Sequence, residues 1–356
     1  MKNFLGYNEQ DFPIPELPSD DAVLGRVIEE HRERYFVATE KGVFESGVTG
    51  KIMFSSDSKD KFPAVGDWVI LSPMDEHQGI IHEILPRKTL LRRRSSGRKA
   101  GEQVIAANID SAFVVMAGNE DFSINRLERY LTIIYDGGIK PIIILNKTDL
   151  FTEDEINEFV QEIKKRHPDA ELVWTSALTE KGLKYVIEHL LPGKTYCFVG
   201  SSGVGKSTLI NRLTGRERQE TGHISDSTAK GRHITTFREL IELENGAFLI
   251  DTPGMREVGL SASDAGLEET FSDIISLAND CRFRDCSHTN EPGCAVLAAC
   301  ESGRISKEKL ENYHRLKRES DYYQMDDYEK RAKQRSFAKM VKEVKRYKNT
   351  NRKKKI

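Results

Sequence analysis

Tyr196-Cys197-Phe198-Val199-Gly200-Ser201-Ser202-Gly203-Val204-Gly205-Lys206-Ser207-Thr208 passes from four strand-forming residues into a glycine-rich loop and then into the helical stretch Leu209-Ile210-Asn211-Arg212-Leu213. Glycines at 200, 203 and 205 let the backbone close around phosphate groups, and the amide N–H groups at the following helix N-terminus point toward negative charge. Ser201, Ser202 and Val204 lie in this cradle. Lys206 is expected to reach the β- and γ-phosphates, Ser207 to offer its hydroxyl to Mg²⁺, and Thr208 to contact the α-phosphate. Taken alone, the pattern means nucleotide binding; Cys197 reads as a buried residue of the strand.

Four further segments sharpen the nucleotide to GTP. Asn146-Lys147-Thr148-Asp149 closes the apolar strand Pro141–Leu145. The Asp149 carboxylate can accept from guanine N1–H and the N2 amino group, which adenine cannot supply. Asn146 is expected to face the base edge, with the Lys147 stem along the ring. Ser176-Ala177-Leu178 follows the strand Leu172–Thr175, where the Ala177 N–H is placed to meet guanine O6. Asp251-Thr252-Pro253-Gly254 follows Phe248-Leu249-Ile250, so Asp251 can hold Mg²⁺ through water and Gly254 can bring its N–H to the γ-phosphate. Gly231-Arg232-His233-Ile234-Thr235-Thr236 has the position of a switch loop, with either Thr235 or Thr236 completing the metal shell.

Met255 stands where many GTPases carry a glutamine that orients the attacking water, and a thioether cannot do so. Either Met255 packs against a helix, or hydrolysis is slow until a partner or His233 supplies the positioning. The guanine motif precedes the phosphate loop, which reverses the usual order. Asp251–Gly254 is therefore the last motif and leads almost directly into the next block, so a pull on Gly254 is expected to be felt there.

Outward from this core, 356 residues suggest two or three domains. The reading divides the chain into an extension (1–21), an OB-type barrel (22–90), a basic linker (91–108), a circularly permuted α/β GTPase domain (109–260), a helical zinc-binding domain (261–348) and a basic tail (349–356). The barrel rests on short β-type runs at Val23–Ile28, Tyr35–Ala38, Trp68–Leu71 and Gly79–Ile84. Such a barrel either packs on its neighbour or binds RNA. Arg92, Arg93, Arg94, Arg98 and Lys99 form either a phosphate-neutralising cluster or a solvated loop.

Beyond the α/β block, Cys281-x4-Cys286-x-His288-x5-Cys294 supplies three thiolates and an imidazole, the donors of a closed tetrahedral Zn²⁺ site. Cys300 is a competing fourth thiol but follows a helical run. Lys307–Lys348 reads as helix, and Asn349–Lys355 as a tail that either grips RNA or is merely solvated. Four of the five cysteines cluster, which fits a metal better than disulfides. No apolar run approaches the roughly 20 residues of a membrane span, and the first residues lack a signal-peptide pattern. A cytoplasmic monomer with no membrane partner is expected.

With these motifs assembled, the chain resembles the RsgA (YjeQ) family of bacterial small ribosomal subunit biogenesis GTPases over nearly its whole length. The resemblance implies a ribosome-dependent GTPase that binds the 30S subunit late in maturation, contacts 16S rRNA and helps to complete the decoding region. Ile234 departs from a threonine common in that family, while Thr235 and Thr236 remain. The hydrophobic residue the family carries in place of the catalytic glutamine matches Met255. A small-molecule phosphotransferase and a passive RNA-binding scaffold are the rival classes; no acceptor pocket is legible for the first, and intact Lys206, Ser207 and Asp251 argue against the second.

Overall fold

Alternating inward and outward residues curl five strands into a closed barrel in the computed structural model, which describes residues 4–31, 34–54, 61–94, 102–119, 122–215, 238–251, 264–325, 328–333, 335–336 and 340–342. The strands are β1 (Val23–His31), β2 (Arg34–Thr39), β3 (Gly42–Val48), β4 (Trp68–Pro73) and β5 (Gln78–Ile84), with helix α1 (Gly50–Phe54) after β3. They run in the order β1-β2-β3-β5-β4, and β4 closes the ring on β1 from Val23↔Leu71 to Arg26↔Trp68. Val27, Val37, Phe44, Val69, Leu71 and Ile81 fill the interior. β3 is not among the four sequence runs: Gly42, Glu45 and Gly47 interrupt its apolar pattern, and pairing with β2 and β5 supplies what local preference lacks.

Within 91–108, expected as a basic linker, the described residues mostly belong to two antiparallel strands, β6 (Leu90–Arg94) and β7 (Glu102–Ala107). Leu91, Ile105 and Ala106 are buried in the core of the α/β domain. The run Arg92-Arg93-Arg94 hides this in the sequence, because cross-strand pairing overrides what a charge run suggests.

The α/β domain follows as β8 (Ser111–Ala117), α2 (Ile124–Asp136), β9 (Lys140–Asn146), α3 (Glu153–Arg166), β10 (Leu172–Trp174), α4 (Leu183–Glu188), β11 (Thr195–Gly200), α5 (Lys206–Thr214), β12 (Arg238–Glu242) and β13 (Phe248–Asp251). Its strand order is β10-β9-β8-β11-β13-β12, parallel except that β12 runs antiparallel to β13. The charged alternation of Arg238-Glu239-Leu240-Ile241-Glu242 conceals β12 in the sequence, as is common for an outer strand. β12 is not left as an open edge. The end of β1 pairs with it at Glu29↔Glu239 and Glu30↔Arg238, joining barrel and α/β domain in one sheet, and Arg238 donates to the Glu30 carboxylate at 2.7 Å.

Arg26 secures the same junction from the barrel side. Only 2% exposed, it donates to the Leu5 carbonyl and to Thr195 Oγ1, both at 2.7 Å, and its guanidinium lies 5.1 Å from the Trp68 ring centre and 5.3 Å from that of Phe248. Burial pushes its pKa down to about 10, so it stays charged at neutral pH and needs these partners to offset desolvation. Thr195 opens β11, the strand that ends in the phosphate loop.

The C-terminal helices are α6 (Ala265–Thr270), α7 (Ser272–Ala278), α8 (Ala295–Glu301) and α9 (Lys307–Gln324). The single helix expected over 307–348 is corrected: α9 ends at Gln324 because Met325 turns extended (ψ 141°), and described helical residues resume at 328. These helices dock on α2. Glu128 of α2 is fully buried and accepts from Arg166 (2.7 Å), from Asn312 of α9, and pairs with His167 (3.2 Å). Arg129 adds a two-pronged pair with Glu319. The tail 349–356 lies outside the described residues.

Candidate nucleotide site and metal cluster

The phosphate loop is shaped by positions where a side chain would not fit. Gly200 has φ +145°, and a Cβ there would lie 2.3 Å from the Val115 carbonyl oxygen of the neighbouring strand; at Gly205, with φ +96°, it would lie 2.2 Å from Asn146 Nδ2. Gly205 also caps α5, so the free N–H groups of that helix open onto the loop. Lys206 Nζ is held over the loop by the Gly200 carbonyl at 2.8 Å and by the Ser201 carbonyl. Ser207 and Thr208 sit half-buried in the first turn of α5, while Ser202 and Gly203 are exposed and Val204 is buried.

The guanine motif meets this loop directly. Asn146 ends β9, is 1% exposed, donates through Nδ2 to the Val204 carbonyl at 2.8 Å, and accepts at Oδ1 from the Ala177 N–H at 3.0 Å. Asn146 was expected to face the base edge and the Ala177 N–H to meet guanine O6. The structure adds that the two bond each other, so that Asn146 also ties the three loops together. Asp149 is exposed, and its Oδ1 accepts from the hydroxyl of fully buried Ser176, whose oxygen in turn accepts from the Thr179 N–H at 3.1 Å. Ser176 thereby aims the carboxylate. Lys147 adopts a left-handed conformation (φ 63°), and the Thr148 N–H donates to Thr175 O at 3.2 Å. A lysine pays strain for that backbone, the sort of cost found at ligand-binding turns.

Asp251 ends β13, which pairs in parallel with β11 through Cys197↔Ile250. The carboxylate position therefore lies on the strand beside the one feeding the phosphate loop. His233, Thr235, Thr236, Thr252, Gly254 and Met255 lie outside the described residues. Sequence reading missed Arg126, whose Nη1 donates to Ser201 Oγ at 3.1 Å. It also missed Glu128, although a carboxylate between Leu127 and Leu131 on an otherwise apolar helix face is a legible sign of a buried polar node.

The second site is compact. Cys281, Cys286, His288 and Cys294 place one donor atom each within 4.8 Å of one another. The Cys281 and Cys294 sulfurs are 3.8 Å apart, and His288 Nδ1 lies 3.6 Å and 3.4 Å from them. A tetrahedron with metal–sulfur bonds of about 2.3 Å has edges of about 3.8 Å, so the donor set fits a metal ion of that size. Cys300, the competing thiol, is not in this group. Burial pushes the Cys286 thiol up to about 11 and lowers the His288 pKa, favouring the neutral imidazole that can ligate. Cys281 is also pushed up by burial, but the Ala295 and Val296 N–H groups bring it down overall. Cys294 caps α8, its sulfur accepting from the Leu297 N–H at 3.4 Å.

Strand order, the loops joined by Asn146 and the reversed order of motifs define a circularly permuted P-loop GTPase with a barrel before it and a Cys₃His cluster behind it. Residues 84–261 match the family model described as RsgA GTPase. Among relatives, the chain is 46% identical over 300 residues to small ribosomal subunit biogenesis GTPase RsgA 2 of Lactiplantibacillus plantarum, covering 84% of each chain. It is 40% identical over 325 residues to small ribosomal subunit biogenesis GTPase RsgA 1 of Bacteroides thetaiotaomicron, covering 91% of this chain and 90% of that one. Its fold is similar to that of YjeQ from Thermotoga maritima (TM-score 0.61, 27% identity, 83% of this chain and 97% of that one). It is equally similar to that of YloQ, a circularly permuted GTPase (TM-score 0.61, 24% identity, 86% and 98% covered). The chain belongs to the RsgA GTPase family. Among the described residues no helix is long and apolar enough to cross a membrane.

Proposed function

We propose that this protein is a ribosome-dependent GTPase that binds the 30S subunit and its 16S rRNA and assists late maturation of that subunit in the cytoplasm. The observation that carries the reading is the Asn146 tie between phosphate loop and guanine motif, in a chain whose relatives bear the name small ribosomal subunit biogenesis GTPase. Gly200 to Gly205 and the α5 N-terminus bind the phosphates, Lys206 neutralises the β- and γ-phosphates, and Asp149 reads guanine N1–H and N2. Ser207 and Asp251, with Thr235 or Thr236, would hold Mg²⁺, which supplies charge neutralisation on the phosphate oxygens. Gly254 would contact the γ-phosphate, and a partner or His233 would position the water that Met255 cannot. Cys281, Cys286, His288 and Cys294 would hold a structural Zn²⁺.

Phosphate release with GTP alone and with purified 30S subunits tests the assignment. Strong stimulation by 30S is expected. Phosphate transfer to a metabolite would make the chain a kinase, and no turnover under either condition would make it a scaffold. His233→Ala should lose the stimulated rate; unchanged turnover with and without 30S removes His233 from the mechanism.

A further inference from the structure

Between the first two donors of the metal cluster lies Arg282-Phe283-Arg284-Asp285, four consecutive exposed residues. One exposed aromatic is ordinary on a protein surface. This one is unusual in how it is held. Cys281 and Cys286 pin both ends of the loop to the cluster, and the Arg282 N–H donates to the Gly293 carbonyl at 3.1 Å. The Arg282 side chain packs against Gly293, where a Cβ would lie 3.1 Å from Arg282 Cβ. These ties fix the backbone beside the ring, and Phe283 is 42% exposed. The Arg282 guanidinium lies over that ring, 5.4 Å from its centre.

Helix α9 lies against the same cluster. His314 Nε2 donates to the His288 carbonyl at 3.2 Å, which sets this helix beside the cluster. One turn on, exposed Arg318 bonds back to the His314 carbonyl at 3.0 Å. An exposed aromatic ring on a loop tied at both ends, backed by Arg282 and followed by Arg284, with exposed Arg318 on the adjoining helix, is a combination that can grip single-stranded nucleic acid: a base on the ring, phosphates on the cations.

We propose that Phe283, with Arg282 and Arg284, is a stacking platform for one unpaired nucleobase of single-stranded RNA, and that Arg318 follows the adjoining phosphates. The proposal rests on the RNA-binding reading above and specifies where on this chain a base is held. A protein partner is the less favoured occupant, because the loop offers one ring among charges rather than an apolar patch.

The test uses the full metal-loaded chain and a short uridine-rich RNA carrying one fluorescent purine analogue. Anisotropy reports affinity, and emission reports stacking. Phe283→Ala should weaken binding by about 5- to 150-fold, the range contributed by one base–aromatic stack, and abolish quenching of the analogue. Phe283→Trp should restore both. Arg284→Gln should keep the quenching and reduce the salt dependence of binding. On the same RNA with an abasic site at the analogue position, Phe283→Ala and the parent should bind alike. Metal content and thermal melting, unchanged in each variant, show that the loop is intact.

Equal binding and equal quenching by Phe283→Ala and the parent would overturn the platform while leaving RNA binding elsewhere on the chain standing. If Phe283→Ala weakens 30S binding but not RNA binding, the loop meets a ribosomal protein and the platform is wrong. If the parent binds neither RNA nor 30S, the proposed function and the platform both fall.

Discussion

Replacing Asn146 with alanine should disable nucleotide binding by releasing loops rather than by removing a contact to the base. The side chain is buried and satisfies two buried backbone groups, the Val204 carbonyl and the Ala177 N–H. Orphaning each of these two buried groups costs about 1–2 kcal/mol, the lower half of the range for a buried donor or acceptor, for a total of about 2–4 kcal/mol. If that energy is what holds the bound arrangement of the loops, affinity for guanine nucleotide should fall roughly 30- to 800-fold. Titration with fluorescent GDP and with its inosine counterpart, which lacks the N2 amino group, separates the two explanations. Loop release weakens both ligands by the same factor, whereas Asp149→Ala should collapse the ratio between them. Binding of GDP by Asn146→Ala within about threefold of the parent would refute the reasoning, since a deletion worth less than about 0.7 kcal/mol cannot include two orphaned buried groups.

Glu128→Ala should cost about 3–5 kcal/mol, because it leaves the Arg166 guanidinium and the Asn312 amide buried without their shared acceptor; a loss under about 1 kcal/mol in chemical denaturation would show that α9 docks by other means. Gly266→Ala places a methyl carbon 2.0 Å from the Thr132 carbonyl oxygen and 2.8 Å from the Asp136 nitrogen, so α6 must lift from α2 at about 1–3 kcal/mol, and unchanged melting would contradict this packing. Metal affinity of the cluster should climb as pH rises through neutrality: the Cys286 thiol sits at about 11 without metal, so binding must displace its proton. Acidification or a chelator should then release the metal and reduce helix content around α8 before the α/β domain melts; full helix content after complete metal loss would count against a structural role.

Much of this was legible in order along the chain. The phosphate loop announces itself because glycine spacing is a backbone requirement, met within nine residues by Gly200, Gly203 and Gly205, whose φ angles are all positive. The Cys₃His set is legible for the same local reason, since its four donors fall within 14 residues, from Cys281 to Cys294. The barrel was legible from short runs of strand-forming residues between turns in all but β3. What stayed hidden were elements whose stability comes from a partner: the β6–β7 pair beneath its arginines and the outer strand β12. Glu128 gave a faint sign, a carboxylate in an apolar stripe, whose meaning appears only when Arg166, His167 and Asn312 close on it from two other helices.

The sequence by itself determined the chemistry of the chain, because phosphate cradles, guanine readers and thiolate–imidazole sets are matters of residue type at short spacing. Tertiary structure alone decided how the parts are joined. It put β1 of the barrel on the β12 edge of the α/β sheet, buried Arg26 against the start of the strand that feeds the phosphate loop, and gave Asn146 the part of a tie between loops. It also seated the C-terminal helices on α2 through Glu128 and Arg129. Those contacts link residues far apart in the chain, where the cost of closing long loops is repaid by burial and hydrogen bonds that no local pattern of residues records.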